Sequence, residues 1–480
     1  MSWSDRGLFA APGEPTGAFR LTRRIHFIAI GGIGMSGIAE VLLHLGFEVS
    51  GSDLNQSSMT DRLAALGARV QIGHAAENVG DADVVVVSSA VPASNPEIQE
   101  ATRRGIPIIR RAEMLAELMR LKHGIAVAGS HGKTTTSSLV ATVLGEGGMD
   151  PTVIVGGKLL ALGGNAILGQ GQYLVAEADE SDGTFLRLSP TIAIVTNVDR
   201  EHLDHYKDME HVRRAFVDFM DRIPFYGQII ACADDPELSR LLPRLRYPSF
   251  TYGTSEDCDL RVEVQSTTPE GTRIGLWLRG ESLGSCRVPL FGSHNALNAT
   301  AAIACGLELG LSFDVIADAI SKFGGVGRRL ESKGEHDGVL VFDDYGHHPT
   351  ELSVTLDALR GAYGDRPLTV VFQPHRYTRT RDHHEEFADV LAKADRVGLL
   401  PIYAASEEPI VGVNSELIVD RLRAVHGVQA RMLTNLDDAC RWAHEVVSPG
   451  EILLTQGAGD VTRLAEMLTA SFGERMQEGA

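Results

Sequence analysis

Gly129-Ser-His-Gly-Lys-Thr-Thr-Thr136 follows the apolar run Ile125-Ala-Val-Ala128 and opens a helix-forming segment from Thr134 to Leu144. A glycine-rich turn between strand and helix that ends in Gly-Lys-Thr has the chemistry of a nucleotide phosphate cradle. Glycines let backbone N–H groups close on phosphate oxygens, the lysine neutralises the terminal phosphates, and the threonine hydroxyl reaches a magnesium ion. The helix N-terminus adds its own preference for anions. On this reading Gly129, Ser130, His131, Gly132, Lys133, Thr134 and Thr135 face the phosphates. The usual spacing puts another glycine six residues before the lysine, where this chain has Val127. The loop is therefore a shortened form. A plain glycine turn ahead of an ordinary helix is the alternative, and it leaves the lysine and threonine unexplained.

Toward the N-terminus a second turn of this kind occurs. Arg24 to Ile30 is strand-like, and Gly32-Ile-Gly-Met-Ser-Gly37 supplies Gly-x-Gly-x-x-Gly at its end. A helix is expected to about Leu45, then a short strand ending at Ser52-Asp53. Such a turn holds a nucleotide pyrophosphate, and an acidic residue about 20 positions on suits a ribose. Glycines serving only helix–strand packing are the competing explanation. Further alternating units follow at Ala82–Ser88, Asn95–Arg103, Ile106–Ile109 and Ala112–Met119, which predicts a parallel, doubly wound sheet. Lys122 to Gly124 is expected to link it to the next domain.

Beyond the cradle, Tyr173 to Asp182 runs from a strand into four carboxylates, and Asn197-Val-Asp-Arg-Glu-His-Leu-Asp204 leaves the strand Ile192–Thr196. Acidic residues at the C-terminal ends of parallel strands beside a phosphate loop are placed to bind magnesium; a solvated acidic loop is the bland reading. Residues 255 to 290 alternate as a small antiparallel excursion, and Gly292-Ser-His-Asn-Ala-Leu-Asn298 opens an alanine-rich helix. After Phe323 to Leu330, four short apolar strands near Val339, Leu368, Val397 and Ile452 alternate with helices, giving a second Rossmann-like sheet. Its loops Asp343-Asp-Tyr-Gly-His-His-Pro349 and Gln373-Pro-His-Arg-Tyr-Thr-Arg379 carry histidines and arginines suited to carboxylates and phosphates.

Composition bounds the reading. A chain of 480 residues suggests about three domains, and 44% hydrophobic with 22% charged residues is ordinary for a globular protein. The net charge of −19 argues against nucleic acid or an anionic membrane as partner. The five cysteines have no CxxC spacing, which fits reduced thiols in a cytosolic protein. The first 20 residues lack the apolar core of a signal peptide, and Phe27–Phe47 contains Glu40, His44 and glycines, which favours strand–turn–helix over a membrane span.

In their order, these motifs, from Gly32–Gly37 and Gly129–Thr136 through Glu177–Asp182, His294–Asn298 and Asp343–Pro349 to Phe372–Arg379, resemble those of the Mur ligases over roughly residues 22 to 470, and within them the branch that adds L-alanine. The resemblance implies an α/β fold of three domains: a loose tail over 1–21, a Rossmann-like UDP-substrate domain over 22–121, an ATP-binding domain over 122–327 with a small antiparallel sheet, and a Rossmann-like amino-acid domain over 328–480. It implies a cytoplasmic enzyme of peptidoglycan precursor synthesis, and so of cell shape and division, with no membrane insertion; monomer and homodimer both stay open. ATP would phosphorylate the lactyl carboxylate of UDP-N-acetylmuramate, and the amine of L-alanine would attack the acyl phosphate, with domain closure keeping water out.

The same resemblance assigns residues. Lys133 binds and stabilises the transferring phosphoryl group; Thr134 and Glu177 hold one magnesium ion and His202 a second. His294, Asn295 and Asn298 lie by the adenine or phosphates, and Arg328 and Arg329 follow the nucleotide. Asp344, Tyr345, His347, His348, Arg376 and Arg379 line the alanine and acyl-phosphate region. Gly32, Gly34, Met35, Ser36 and Gly37, with Asp53, His74 and Ser88, hold the UDP portion. His202 and His348 are the alternatives for the base. The carbamylated lysine of several later family members has no counterpart, since Lys207 lies too early. Three rival functions are a nicotinamide oxidoreductase, testable by NADH binding; a non-catalytic UDP-sugar sensor, which releases no phosphate; and a recycling ligase that attaches a tripeptide.

Overall fold

The computed structural model describes residues 22–88, 91–159, 164–202, 205–405 and 407–478. The tail expected over 1–21 lies outside them, as do Leu203 and Asp204 of the second acidic segment.

The first sheet contains β1 (Arg24–Ile28), β2 (Glu48–Asp53), β3 (Arg69–Ile72), β4 (Val84–Val87) and β5 (Ile108–Arg110), all parallel in the order β3-β2-β1-β4-β5. Helices α1 (Ile33–His44), α2 (Ser58–Ala65), α3 (Pro96–Arg104) and α4 (Arg111–Met119) connect the strands. Ile25, Phe27, Ile28, Val85 and Val86 are fully buried, as expected for central strands covered on both faces. Local chemistry sets the helix ends. Ser57 and Thr60 form a capping box at α2, while α3 begins at Asn95-Pro96 and stops at the left-handed Gly105. The strand order reverses between β1 and β4, so the glycine turn after β1 opens at the switch point where such sheets bind ligands.

The second sheet has ten strands: β6 (His123–Ala128), β7 (Thr152–Leu159), β8 (Gly164–Ile167), β9 (Tyr173–Glu177), β10 (Ile192–Val195), β11 (Gln228–Cys232), β12 (Ser249–Gly253), β13 (Leu260–Thr268), β14 (Gly271–Leu278) and β15 (Glu281–Val288). Their order is β15-β14-β13-β12-β11-β10-β6-β9-β7-β8. Strand β6 runs parallel between β10 and β9, with Ile125 to Ala128 fully buried, and helix α5 (Lys133–Glu146) follows it. The excursion expected over 255–290 is β13 to β15, joined by two-residue turns that only antiparallel neighbours allow. The expected link at Lys122–Gly124 is instead mostly strand. The His123 N–H donates to the Gln172 carbonyl, and Lys122 Nζ donates to the carbonyls of Gly169 and Gly171.

The third sheet contains β16 (Glu331–His336), β17 (Val339–Asp344), β18 (Leu368–Phe372), β19 (Arg396–Leu399), β20 (Gln429–Met432) and β21 (Ile452–Gln456), ordered β16-β17-β21-β18-β19-β20. All are parallel except the β16–β17 pair. The four apolar strands expected from the sequence are its four inner members. Both edges, Glu-Ser-Lys-Gly-Glu-His and Gln-Ala-Arg-Met, are polar, which blunts edge pairing and hides them from an apolar-run search.

By its internal contacts the chain divides into two units. One runs through Glu263 and includes Gly275–Cys286 and Leu297–Phe323; the other comprises Val264–Ile274, Arg287–Ala296 and Gly324 onward. No helix among the described residues is long and apolar enough to cross a membrane.

Candidate active site

In the first unit, the turn between β6 and α5 takes its shape from two glycines. Gly129 (φ +137°) and Gly132 (φ +82°) occupy backbone regions closed to most side chains. The end of β10 braces the turn: Asn197 Oδ1 accepts from the His131 N–H (2.8 Å), and the His131 carbonyl accepts from Thr196 Oγ1 (2.6 Å) and Asn197 Nδ2 (3.0 Å). The Asp199 N–H donates to Ser130 Oγ (2.8 Å), and His131 Nε2 lies 2.9 Å from Asp199 Oδ2. Asn298 closes the other side, 2.6 Å from where a Cβ at Gly132 would lie, and it accepts from Thr136 Oγ1 (3.2 Å). Gly129 to Thr135 and Asn298 thus form one cluster.

Lys133 Nζ donates to the carbonyls of Gly129 (2.6 Å) and Ser130 (3.1 Å) and pairs with Glu180 (2.9 Å). Burial lowers its affinity for a proton, but Glu180, Asp179 and Glu201 more than offset this, so the ammonium is retained. Burial and Asp179 push the buried Glu180 carboxyl upward against the pull of Lys133. His202 (φ +56°) stands beside this pair, with Nε2 3.7 Å from Glu180 and 3.8 Å from Glu201.

The donor atoms of Glu180, Glu201 and His202 lie within 4.8 Å of one another, and two carboxylates with an imidazole suit a divalent cation. Glu177, assigned to the metal with Thr134, accepts from the Gly156 N–H (2.8 Å) and from Ser137 Oγ (3.4 Å), a residue one turn along α5 from Thr134. Sequence reasoning saw the acidic segment but did not single out Glu180 or Glu201. Their convergence on Lys133 and His202 is a product of tertiary folding.

The first glycine turn carries Gly32, Gly34, Met35, Ser36 and Gly37 at the start of α1, with Met35 and Ser36 buried. Asp53 Oδ2 accepts from the Gly31 N–H (2.9 Å), so this carboxylate holds the turn itself. His74 Nδ1 lies 2.9 Å from Ser52 Oγ and 3.1 Å from Glu97 Oε1, and the Ser88 carbonyl accepts from the Val91 N–H. Arg111, absent from the expected set, packs against this turn: a Cβ at Gly34 would lie 2.7 Å from its guanidinium. The same guanidinium pairs with Asp179 at 3.3 Å, tying the first turn to the acidic segment after β9.

In the second unit, the loops after β17 and β18 hold the expected basic residues. The guanidinium groups of Arg328 (5.0 Å) and Arg329 (5.2 Å) both lie over the Tyr345 ring. Arg328 also pairs with Asp343 (3.1 Å) and donates to the Gly457 carbonyl. The His347 and His375 rings are 5.3 Å apart, and Arg379 Nη1 lies 3.3 Å from His375 Nδ1. His375 lies in the same loop, where the sequence pattern assigns it no role. Burial, with His347 and the arginines, lowers it to about 3, so its neutral ring accepts from Arg379. Arg376 (φ +72°) starts the helix Tyr377–Leu391. His348 is buried at the start of the helix Pro349–Tyr363, with Nδ1 accepting from the Thr350 N–H. His294 and Asn295 belong to this unit. Burial holds His294 down at about 4, and Asn295 Nδ2 donates to the Phe291 carbonyl.

Asp344 is buried and accepts from the N–H groups of Leu330 (2.7 Å) and Gly346 (2.8 Å) and from Gln456 Nε2 (2.9 Å). Burial nonetheless raises its carboxyl to about 6. The folded state therefore favours the protonated form, and that stability is full below the unfolded value near 3.8 and is lost as pH rises through about 6. Asp344→Asn removes this dependence, a swing of about 3 kcal/mol, while a misplaced amide facing the Leu330 N–H costs about 1–3 kcal/mol. The variant should melt below the wild type at low pH, with a gap that narrows from about pH 4.5 and closes or reverses by about pH 6.5. A gap that does not change with pH would rule out the raised carboxyl.

Comparison with known proteins follows the same three sheets. Residues 24–123 match the model of the Mur ligase family catalytic domain, 127–306 the Mur ligase middle domain, and 328–459 the Mur ligase glutamate ligase domain. A UDP-N-acetylmuramate–L-alanine ligase of Desulfosudis oleivorans is 52% identical over 442 residues, which cover 92% of this chain and 97% of the relative. The crystal structure of a UDP-N-acetylmuramate–alanine ligase from Thermotoga maritima superposes with a TM-score of 0.81 at 30% identity, covering 95% of this chain and all of that one. A murein peptide ligase from Psychrobacter arcticus superposes with a TM-score of 0.69 at 25% identity, covering 94% and 99%. A glycine-rich lysine turn braced by β10, a glycine turn at a switch point and a third sheet with basic loops, matched over most of the chain by these models and relatives, make the chain a member of the Mur ligase family.

Proposed function

We infer that the protein is an ATP-dependent carboxylate–amine ligase that joins L-alanine to the lactyl carboxylate of UDP-N-acetylmuramate, releasing ADP and phosphate, in peptidoglycan precursor synthesis. The observation that carries this is the Lys133 cradle in a chain 52% identical over nearly its whole length to a relative of that name. A carboxylate is a poor electrophile, and transfer of the γ-phosphoryl group gives it a leaving group. Lys133 and the N-terminal end of α5 offset phosphate charge during that transfer. Glu180, Glu201 and His202 form one donor set for Mg²⁺, and Thr134 with Glu177 a second. Cations held there would offset the negative charge of the phosphate groups.

On this reading the residues near 22–121 take the UDP portion through Gly32, Gly34, Met35, Ser36, Gly37, Asp53, His74 and Ser88. Those near 122–327 take ATP, with His294, Asn295, Asn298 and Arg328 toward the nucleotide. Those from about 328 take L-alanine and the acyl phosphate through Asp344, Tyr345, His347, His348, Arg376 and Arg379. The enzyme works in the cytoplasm, where ATP is at hand.

The test is phosphate release from ATP with UDP-N-acetylmuramate, with and without L-alanine. Release that requires both, with a product heavier by one alanyl residue, is the expected result. Release with a tripeptide but not with alanine would move the protein to the recycling branch. No release under any combination would leave a nucleotide-binding protein without this activity.

A further inference from the structure

Glu97 is an ionisable side chain with no exposed surface, and the ligation chemistry does not use it. It sits in the first turn of α3, where its N–H donates to the capping Asn95 Oδ1 (2.9 Å), and its carboxylate runs inward beneath the first sheet. Oε2 accepts from His26 Nε2 (2.7 Å) on β1 and from Ser52 Oγ (2.8 Å) on β2. Oε1 meets the loop after β3: the Ala75 N–H (3.2 Å), Asn78 Nδ2 (3.1 Å) and His74 Nδ1 (3.1 Å). Burial pushes this carboxyl upward, but the donors win and hold it at about 2, so Glu97 is a carboxylate throughout the working range. A buried charge with five donors is costly to assemble, and stability alone is a weak reason to keep one. The donors come from three consecutive strand–loop units and share one acceptor.

Because a carboxylate can only accept, His74 Nδ1 carries the proton that faces it, and in the Nδ1–H tautomer Nε2 is the accepting nitrogen. We propose that Glu97 is a positioning residue of the UDP-substrate site: it fixes His74 as the Nδ1–H tautomer and locks the 73–78 loop to β1 and β2, so that His74 Nε2 accepts from an N–H or O–H of the nucleotide. The proposal rests on the reading that the first sheet takes the UDP portion. Outer partners that fix metal-ligating histidines contribute a factor of about 10–100, and the low end of that range sets the scale expected for a histidine that contacts a nucleotide.

The experiment uses the full-length enzyme, with KM measured separately for each of the three substrates and with calorimetric binding of UDP alone. The variants are Glu97→Gln, Glu97→Ala, Ser52→Ala and His74→Ala. Ser52→Ala removes one donor without emptying the core, so it reports even if Glu97→Ala does not fold. Glu97→Ala, or Ser52→Ala in its place, should raise KM for UDP-N-acetylmuramate and Kd for UDP about tenfold, with kcat and the KM values for ATP and L-alanine changing less than about twofold. Glu97→Gln keeps one accepting oxygen for the Ala75 and Asn78 donors and should recover most of the loss. His74→Ala should match Glu97→Ala. Loss of His74 weakening UDP, with both Glu97→Ala and Ser52→Ala folded and neutral, overturns the positioning role alone. A His74→Ala enzyme with unchanged UDP affinity overturns the site reading and the proposal with it. Equal rises in KM for all three substrates would make Glu97 a purely structural residue.

Discussion

Lys133→Ala should abolish phosphate release, with kcat reduced by at least about a thousandfold, because positioning and charge stabilisation make up most of phosphoryl-transfer catalysis. Lys133 is the half-buried cation of the turn, and its ammonium is held by two loop carbonyls. Removing it also leaves Glu180 buried without its partner, which costs about 3–5 kcal/mol if the acid stays ionised. Glu180 has an escape, since burial already pushes its carboxyl upward and protonation relieves the charge. The stability tied to a raised carboxyl is full below its unfolded value and is lost as pH rises through its folded one. Thermal melts at pH 5 and 8 should therefore show a small deficit for Lys133→Ala at pH 5 and a larger one at pH 8. Lys133→Arg should rescue stability more than activity, because a planar guanidinium does not reproduce a compact ammonium. Near-normal turnover by Lys133→Ala would sink the cradle assignment.

The second large effect belongs to Gly129→Ala. A Cβ at this position would lie 2.0 Å from Thr196 Oγ1 and 3.2 Å from the Asn197 backbone, at a φ of +137°. Thr196 cannot simply swing away, because its hydroxyl bonds the His131 carbonyl that shapes the loop (2.6 Å). The strain and the clash together should displace the cradle, and a displacement of 1 Å is enough to cost about a hundredfold in rate. Gly148→Ala is the control: its φ is +75°, yet a Cβ there meets nothing within 4 Å. It should lower the melting temperature through a backbone cost of about 1–2 kcal/mol and leave phosphate release intact. Equal losses of activity in the two variants would mean that general destabilisation, not the shape of the loop, is being measured.

Features written in consecutive residues were legible before any coordinates. The two glycine turns, their flanking strands and helices, and the basic loops of the third sheet are local patterns, and the structure has each as a strand–turn–helix unit or a strand-end loop. What sequence left dark depends on distance along the chain. Glu180 was one acid among four until folding set it against Lys133, 47 residues away. Glu97 resembled any glutamate in the first turn of a helix, where an acid is favoured for the dipole alone, and its five partners are scattered from His26 to Asn78. Arg111 at the start of α4 showed no sign of reaching the first glycine turn. The polar edge strands β16 and β20 lack an apolar run because their outer sides face no strand.

Strand β6 lies in the interior of its sheet, and its last carbonyl, on Ala128, accepts from the Thr196 N–H of the strand end beside it. Amides so enclosed exchange with water only in the rarest openings, whereas helix ends and edge strands open often. If the turn after β6 seats the nucleotide as proposed, it hangs from a strand whose amides should be among the slowest to exchange. It surrenders little conformational freedom when its guest arrives, so the ordering penalty of recognition is small. On that reading the two demands on a ligase are separated, because a nucleotide held there would meet a seat anchored at the centre of the sheet.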